Sequence, residues 1–148
     1  EKRAESLQIA SMGMGLGVNQ DLARRAELLH LKKADAKADY AKYDGLDVWR
    51  LGALIEERFV VPQQSQNESP SVGTFFEFMQ AFPEVTAHGY VIGPGRADYR
   101  VSIEGISCKL GAVKDAARRD AIRSAFLELC ASANQVDDEK TFLHAWWT

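Results

Sequence analysis

The chain has 148 residues, enough for one domain that buries about two-thirds of the surface its unfolded form exposes. With 46% apolar and 26% charged residues it suits a soluble globular fold and is too apolar for a disordered one. Its 18 Lys and Arg against 21 Asp and Glu give a formal charge of −3, which argues against a general binder of nucleic-acid backbone, and its apolar runs are too short to span a membrane.

The first residue is Glu1, so the chain reads as a processed product or a piece of something longer. Ile9 to Val18 is apolar and follows Lys2 and Arg3, but Glu1, Glu5 and three interrupting glycines do not fit a signal peptide. The pattern predicts a short helix over Lys2 to Met12, ended by Gly13, Gly15 and Gly17. Asn19 then reads as the cap of a second helix. Leu22, Ala26 and Leu29 recur at helical spacing, and the helix is expected to run on through His30 to about Tyr43. Its second half alternates charge with alanine, as a solvated helix or connecting arm does, and Asp44-Gly45 marks the bend after it. This divides the chain into a helical arm, residues 1–43, and a compact α+β domain, residues 44–148.

Asp47 caps a third helix with Val48, Leu51, Leu54, Ile55 and Phe59 on one stripe, widened by Trp49. The polar run Gln63 to Ser71 reads as a mobile loop, and Thr74 as the cap of a helix that Pro83 ends. Phe75, Phe78, Met79 and Phe82 share a face of it. The period then drops to two. Val85 to Gly93 and Asp98 to Ile106 flank Gly93-Pro94-Gly95-Arg96, a type II turn signal. Pairing about that turn puts Thr86, His88, Tyr90 and Ile92 on one face with Tyr99, Val101 and Ile103. Asp98, Arg100, Ser102 and Glu104 take the other, with a bulge at Gly105. Such a turn fits hairpin twist poorly, so a wider loop is an open alternative.

Asp115 begins the last long helix, with Ile122, Ala125, Phe126, Leu129, Cys130 and Ala133 on its apolar stripe. Asp137 reads as the cap of a short terminal helix. Its Phe142, Leu143, Trp146 and Trp147 are too apolar to leave in water, so the end docks on its own domain or on a partner. The whole reads as α+β: a small antiparallel sheet built on a central β-hairpin and packed by several helices.

Chemistry is harder to find along the chain. The three histidines, His30, His88 and His144, have no second His or Cys at ligand spacing, and neither HExxH nor CxxC occurs; no metal and no cofactor is expected. Only His88, placed near Tyr90 and Tyr99, suggests a general base, against the plainer reading of a core histidine. Asp98 and Glu104 lie too far apart along one strand to flank a scissile bond. Cys108 and Cys130 carry no basic partner, Cys130 reads as a small hydrophobe, and a bridge between them is open. Gly13-Met14-Gly15-Leu16-Gly17 precedes a helix but follows no strand and lacks the lysine of a phosphate loop.

One stretch is familiar. The strand Tyr99 to Ile106, the helix after it, and Asp137-Asp138-Glu139 closing on Phe142 to Trp147 make Ala87 to Thr148 resemble small bacterial immunity-type proteins, which guard a cell against secreted toxins. The resemblance implies a non-catalytic cytoplasmic module whose partner is another protein, a toxin. The candidate contact residues are Arg96, Asp98, Arg100, Glu104, Trp146 and Trp147. Two readings stand beside it. One is a small enzyme using His88 with Tyr90 and Tyr99. The other is a dimeric secretion chaperone or adaptor joined through Leu22, Ala26 and Leu29 or the tryptophan end.

Overall fold

The structure is a computed structural model that describes residues 17–148. The expected helix over Lys2 to Met12 and most of the glycine-rich stretch lie outside the described residues.

Helix α1, Leu22–Leu29, is capped by Asp21, whose carboxylate accepts from the Arg24 N–H at 3.1 Å. Asn19, the expected cap, instead ties the chain to the end of the next helix: its amide donates to the Glu57 carbonyl at 2.9 Å. The helix does not run on to Tyr43. His30 turns into the left-handed region at φ 54°, and its N–H and that of Leu31 close back on Ala26 and Glu27. After a 3-10 turn at Lys33–Asp35 the chain becomes strand β1, Tyr40–Leu46, so residue 43 falls inside a strand. Nor does Asp44-Gly45 end an element. Gly45, at φ 65°, carries an irregularity between Tyr43 and Leu46, within the strand. Leu28 and Leu29 are buried in the chain's own core.

Asp47 caps α2, Val48–Glu56, as its sequence predicts, and Val48, Leu51 and Leu54 face inward. Trp49 does not widen that stripe; it stands 75% exposed. The cap of α3, Val72–Ala81, is Ser71 and not Thr74, whose N–H donates to the Ser71 hydroxyl. Pro83 follows the helix end closely. Helix α4, Ala116–Leu129, begins at its expected cap Asp115. It packs Phe126 edge-on against Phe78 of α3, and Arg118 reaches Glu84 at 2.8 Å.

Strands β2 (Val85–Ile92) and β3 (Arg100–Cys108) form the sheet's centre. The order is β1-β2-β3-β5-β4, antiparallel throughout, with β4 at Gln135–Asp138 and β5 at Leu143–Trp146. The expected terminal helix is therefore a second hairpin. Along it Leu143, Ala145 and Trp147 are buried while His144 and Trp146 are only half-buried, the alternation of a strand. Trp147 packs edge-on against Phe75 and its indole N–H donates to the Ser132 hydroxyl at 3.0 Å, so the terminus docks on its own domain.

The hairpin register differs from the sequence expectation. Ile92 pairs with Arg100 and Tyr90 with Ser102, so the loop spans seven residues, 93–99, and the faces of β3 are exchanged. Gly95 lacks the positive φ of a type II turn. Arg100, Ser102 and Glu104 share a face with His88 and Tyr90, while Val101 and Ile103 face the core. A bulge opposite His88 and Gly89 restores inward alternation through Ile106 and Cys108.

Thus one face of the sheet is covered by α2, α3 and α4. Val85, Ala87, Val91, Val101, Ile103, Ile106, Leu143 and Ala145 are buried there with Leu54, Phe75, Met79, Ile122 and Phe126. Each fully buried large side chain contributes about 1.5–3 kcal/mol by leaving water. Both cysteines are free and buried in this core; burial pushes the Cys108 thiol up to about 11 and the Cys130 thiol up to about 12.

Candidate functional site on the open face of the sheet

The other face is left open by the described helices. Its floor is made by the outward residues of all five strands: Lys42, His88 and Tyr90, Arg100, Ser102 and Glu104, His144 and Trp146, and Asp137. Two depressions lie on it. The larger, about 960 Å³ and open to solvent, is walled on one side by His30 to Lys32 and Asp35 and on the other by Phe142, His144 and Trp146. The smaller, about 550 Å³, lies between Gln64 to Asn67 and the pair Tyr90 and Arg100.

A chain of polar contacts crosses the larger hollow. His144 Nε2 lies 2.9 Å from His88 Nε2, and His144 Nδ1 lies 3.3 Å from Asp137 Oδ2. The Gln135 amide donates to the other Asp137 oxygen at 3.2 Å and steadies the carboxylate. Trp146 packs edge-on against His144. The His88 ring can lie where it does because Gly105 beneath it has no side chain; a Cβ there would stand 2.7 Å from His88 Nε2. Burial first, and then the charge of His144, push the His88 imidazole down to about 4; Asp44 opposes the shift and Lys42 adds to it. His88 is therefore neutral at physiological pH.

Beside the smaller depression the side chains are fixed to one another. The Arg100 guanidinium donates to Ser102 Oγ at 2.9 Å and to the Tyr90 hydroxyl at 3.1 Å. That hydroxyl donates to Gln66 Oε1 at 2.8 Å, and Tyr40 stacks on the Tyr90 ring. The Gln64 amide donates to the Val101 carbonyl. The polar run expected to be mobile is thus tied to the sheet at two points.

The candidate residues read from the sequence divide between these places. His88, Tyr90, Arg100, Glu104 and Trp146 meet on the open face. Arg96 and Asp98 lie at the exposed hairpin tip, paired with each other at 2.9 Å. Tyr99 is not beside His88: it is buried under the Arg25 guanidinium and donates to the Asn19 carbonyl. Trp147 belongs to the core. The sequence reading missed His144 and Asp137 as partners of His88, because spacing along the chain says nothing of two strands that meet across a third. The signal was present in the alternation from Phe142 to Thr148, which turns every even-numbered side chain to one face.

Compared with family models, curated proteins and solved structures, the chain matches none.

Proposed function

We propose that this protein is a non-catalytic recognition module of the immunity type, binding a toxin through the open face of its sheet. The observation that carries the reading is that face: a floor of polar and aromatic side chains from five strands, not covered by the described helices. Tyrosine, tryptophan and arginine dominate protein interfaces, and Tyr40, Tyr90, Arg100 and Trp146 share this surface. Arg100 and Tyr90 are already held by hydrogen bonds, so docking costs them little rotamer freedom. The net charge of −3 speeds encounter with a basic partner such as a nuclease.

The test is coexpression with the product of the adjacent gene. The protein should restore growth and co-purify with that product, and Arg100→Ala with Tyr90→Ala should lose both at unchanged melting. A protein that rescues and captures nothing, or a variant that does both as well as the wild type, defeats the proposal.

Acid–base catalysis is the second reading, and the Asp137, His144 and His88 chain favours it. Asp137 holds the proton on His144 Nδ1, His144 Nε2 then accepts from His88 Nε2–H, and His88 Nδ1 is left with a free lone pair. Two bases 2.9 Å apart cannot stand on opposite sides of a phosphodiester or a glycosidic bond, so such a catalyst would use one base backed by the other two groups. His88→Gln separates the readings: protection by occlusion survives it, and protection by catalysis is abolished.

A further inference from the structure

We propose that His88 and His144 form a binding site for a divalent transition-metal ion, of the zinc, nickel or copper class, with Asp137 supporting the site through the far nitrogen of His144. The argument is geometric and does not depend on the proposed partner. The two Nε2 atoms face each other at 2.9 Å from different strands. At that separation two bare lone pairs repel, so either a proton lies between them or both bind one cation set to the side of the line that joins them. Metal–imidazole bonds of about 2.0–2.1 Å place two cis nitrogens about 2.9 Å apart at a right angle and about 3.3 Å apart at the tetrahedral angle. Closing the pair on one ion therefore leaves the N···N distance nearly as it is and needs the two rings to turn until both lone pairs meet at one point.

The surroundings fit a ligand pair. Asp137 accepts from His144 Nδ1, the carboxylate–histidine arrangement that sets the tautomer leaving Nε2 free for a metal, and Gln135 in turn holds Asp137. Imidazole is a borderline ligand that selects zinc, copper and nickel over magnesium or calcium. Among the described residues no third His, Cys, Asp or Glu completes the set. The remaining positions open into the hollow, where water or a group from a bound molecule would fill them. Ligand spacing along the chain does not show the pair, because β3 brings His88 and His144 together from its two neighbours, β2 and β5.

The experiment is calorimetric titration of chelator-treated protein with Zn²⁺, Ni²⁺ and Cu²⁺ separately, with paramagnetic resonance of the Cu²⁺ form. We expect one saturable equivalent and a copper spectrum split by two imidazole nitrogens. His88→Gln and His144→Gln should each lose the site, and Asp137→Asn should weaken it about 10–100-fold with both histidines present. Circular dichroism melts check that each variant is folded. The proposal is overturned if wild-type protein binds none of the three ions at millimolar concentration, if either histidine variant binds as tightly as the wild type, or if the copper spectrum shows fewer than two such nitrogens.

Discussion

The two faces of this sheet are built from the same five strands and carry opposite chemistry. On the covered face, nearly every side chain is aliphatic or aromatic and buried: Val85, Ala87 and Val91 of β2 pair with Cys108, Ile106 and Val101 of β3. On the open face the same strands present His88, Tyr90, Arg100, Ser102, Glu104, His144 and Trp146; hydrogen bonds join Arg100 to Ser102 and Tyr90, Tyr90 to the Gln66 loop, and His88 to His144. The difference teaches which side chains hold the fold together and which are left free to meet solvent or a partner. Burial of the first face holds the fold, while the second contributes little to the core.

The adjacent tryptophans give the sharpest test of that division. Trp147 is fully buried against Phe75, so Trp147→Ala should cost about 3–5 kcal/mol in urea unfolding, by lost transfer and an unfilled cavity. Trp146→Ala, one residue away on the open face, should cost far less. Equal losses at both positions would mean that the open face is also structural.

Gly105 is where the two faces constrain each other. A Cβ there would lie 2.2 Å from the Ala145 carbonyl oxygen as well as against the His88 ring, so backbone must move. Gly105→Ala is expected to cost about 1–3 kcal/mol, the range of overpacking, and to shift the His88 and His144 ring resonances together. A variant with wild-type stability and unmoved ring resonances would show that the pair is not seated on Gly105.

Protonation offers a subtler comparison. Free histidine titrates near pH 6.5, whereas folded His88 is pushed down to about 4. Between these values the unfolded chain holds more protons, so stability rises with pH there: it is complete above about 6.5 and is lost as pH falls toward 4. The groups facing the ring are His144 from the second hairpin, Lys42 and Asp44 from β1, and Glu104 from β3. Half-burial of the ring leaves about 1–2 kcal/mol of the effect after solvent screening. Unfolding curves of metal-free protein at pH 4.5 and 7 measure it, and His88→Gln should flatten the difference. An unchanged slope in that variant would assign the dependence to other groups.

How much of this was legible in the sequence follows from which forces act locally. The caps at Asp47 and Asp115 and the buried stripe of α2 were readable because they depend on neighbours a few residues away. The central hairpin was readable as a period of two, but its register was not. Arg100 and Val101 exchange faces when the loop widens from two residues to seven, and no local signal sets that width. The start of β1 reads as helix because the residues before it, Lys32 to Asp39, alternate charge with alanine, although the outward Tyr40 and Lys42 and inward Ala41 and Tyr43 already alternate. In the second hairpin the doublets Phe142-Leu143 and Trp146-Trp147 look continuously apolar and hide the same alternation. The site was half legible. Tyr90, His88 and Arg100 could be singled out from composition, but the meeting of His88 with His144 needs β3 and β5 to pair through Ser107 and His144, a long-range contact that spacing does not encode.

The smallest expected effect bears on where recognition happens. Trp49 stands 75% exposed on α2, on the helical side of the molecule, beside a shallow depression of about 330 Å³ with Phe76 and Gly52. An exposed tryptophan makes few contacts whose loss matters, so Trp49→Ser should change stability by no more than about 0.5 kcal/mol. If recognition belongs to the open sheet face, the variant also protects cells and captures its partner as the wild type does, while Arg100→Ala with Tyr90→Ala does neither. A Trp49→Ser protein that melts normally yet no longer captures the partner would move the interface across the molecule to α2. The open face would then keep only its histidine pair as a claim to function.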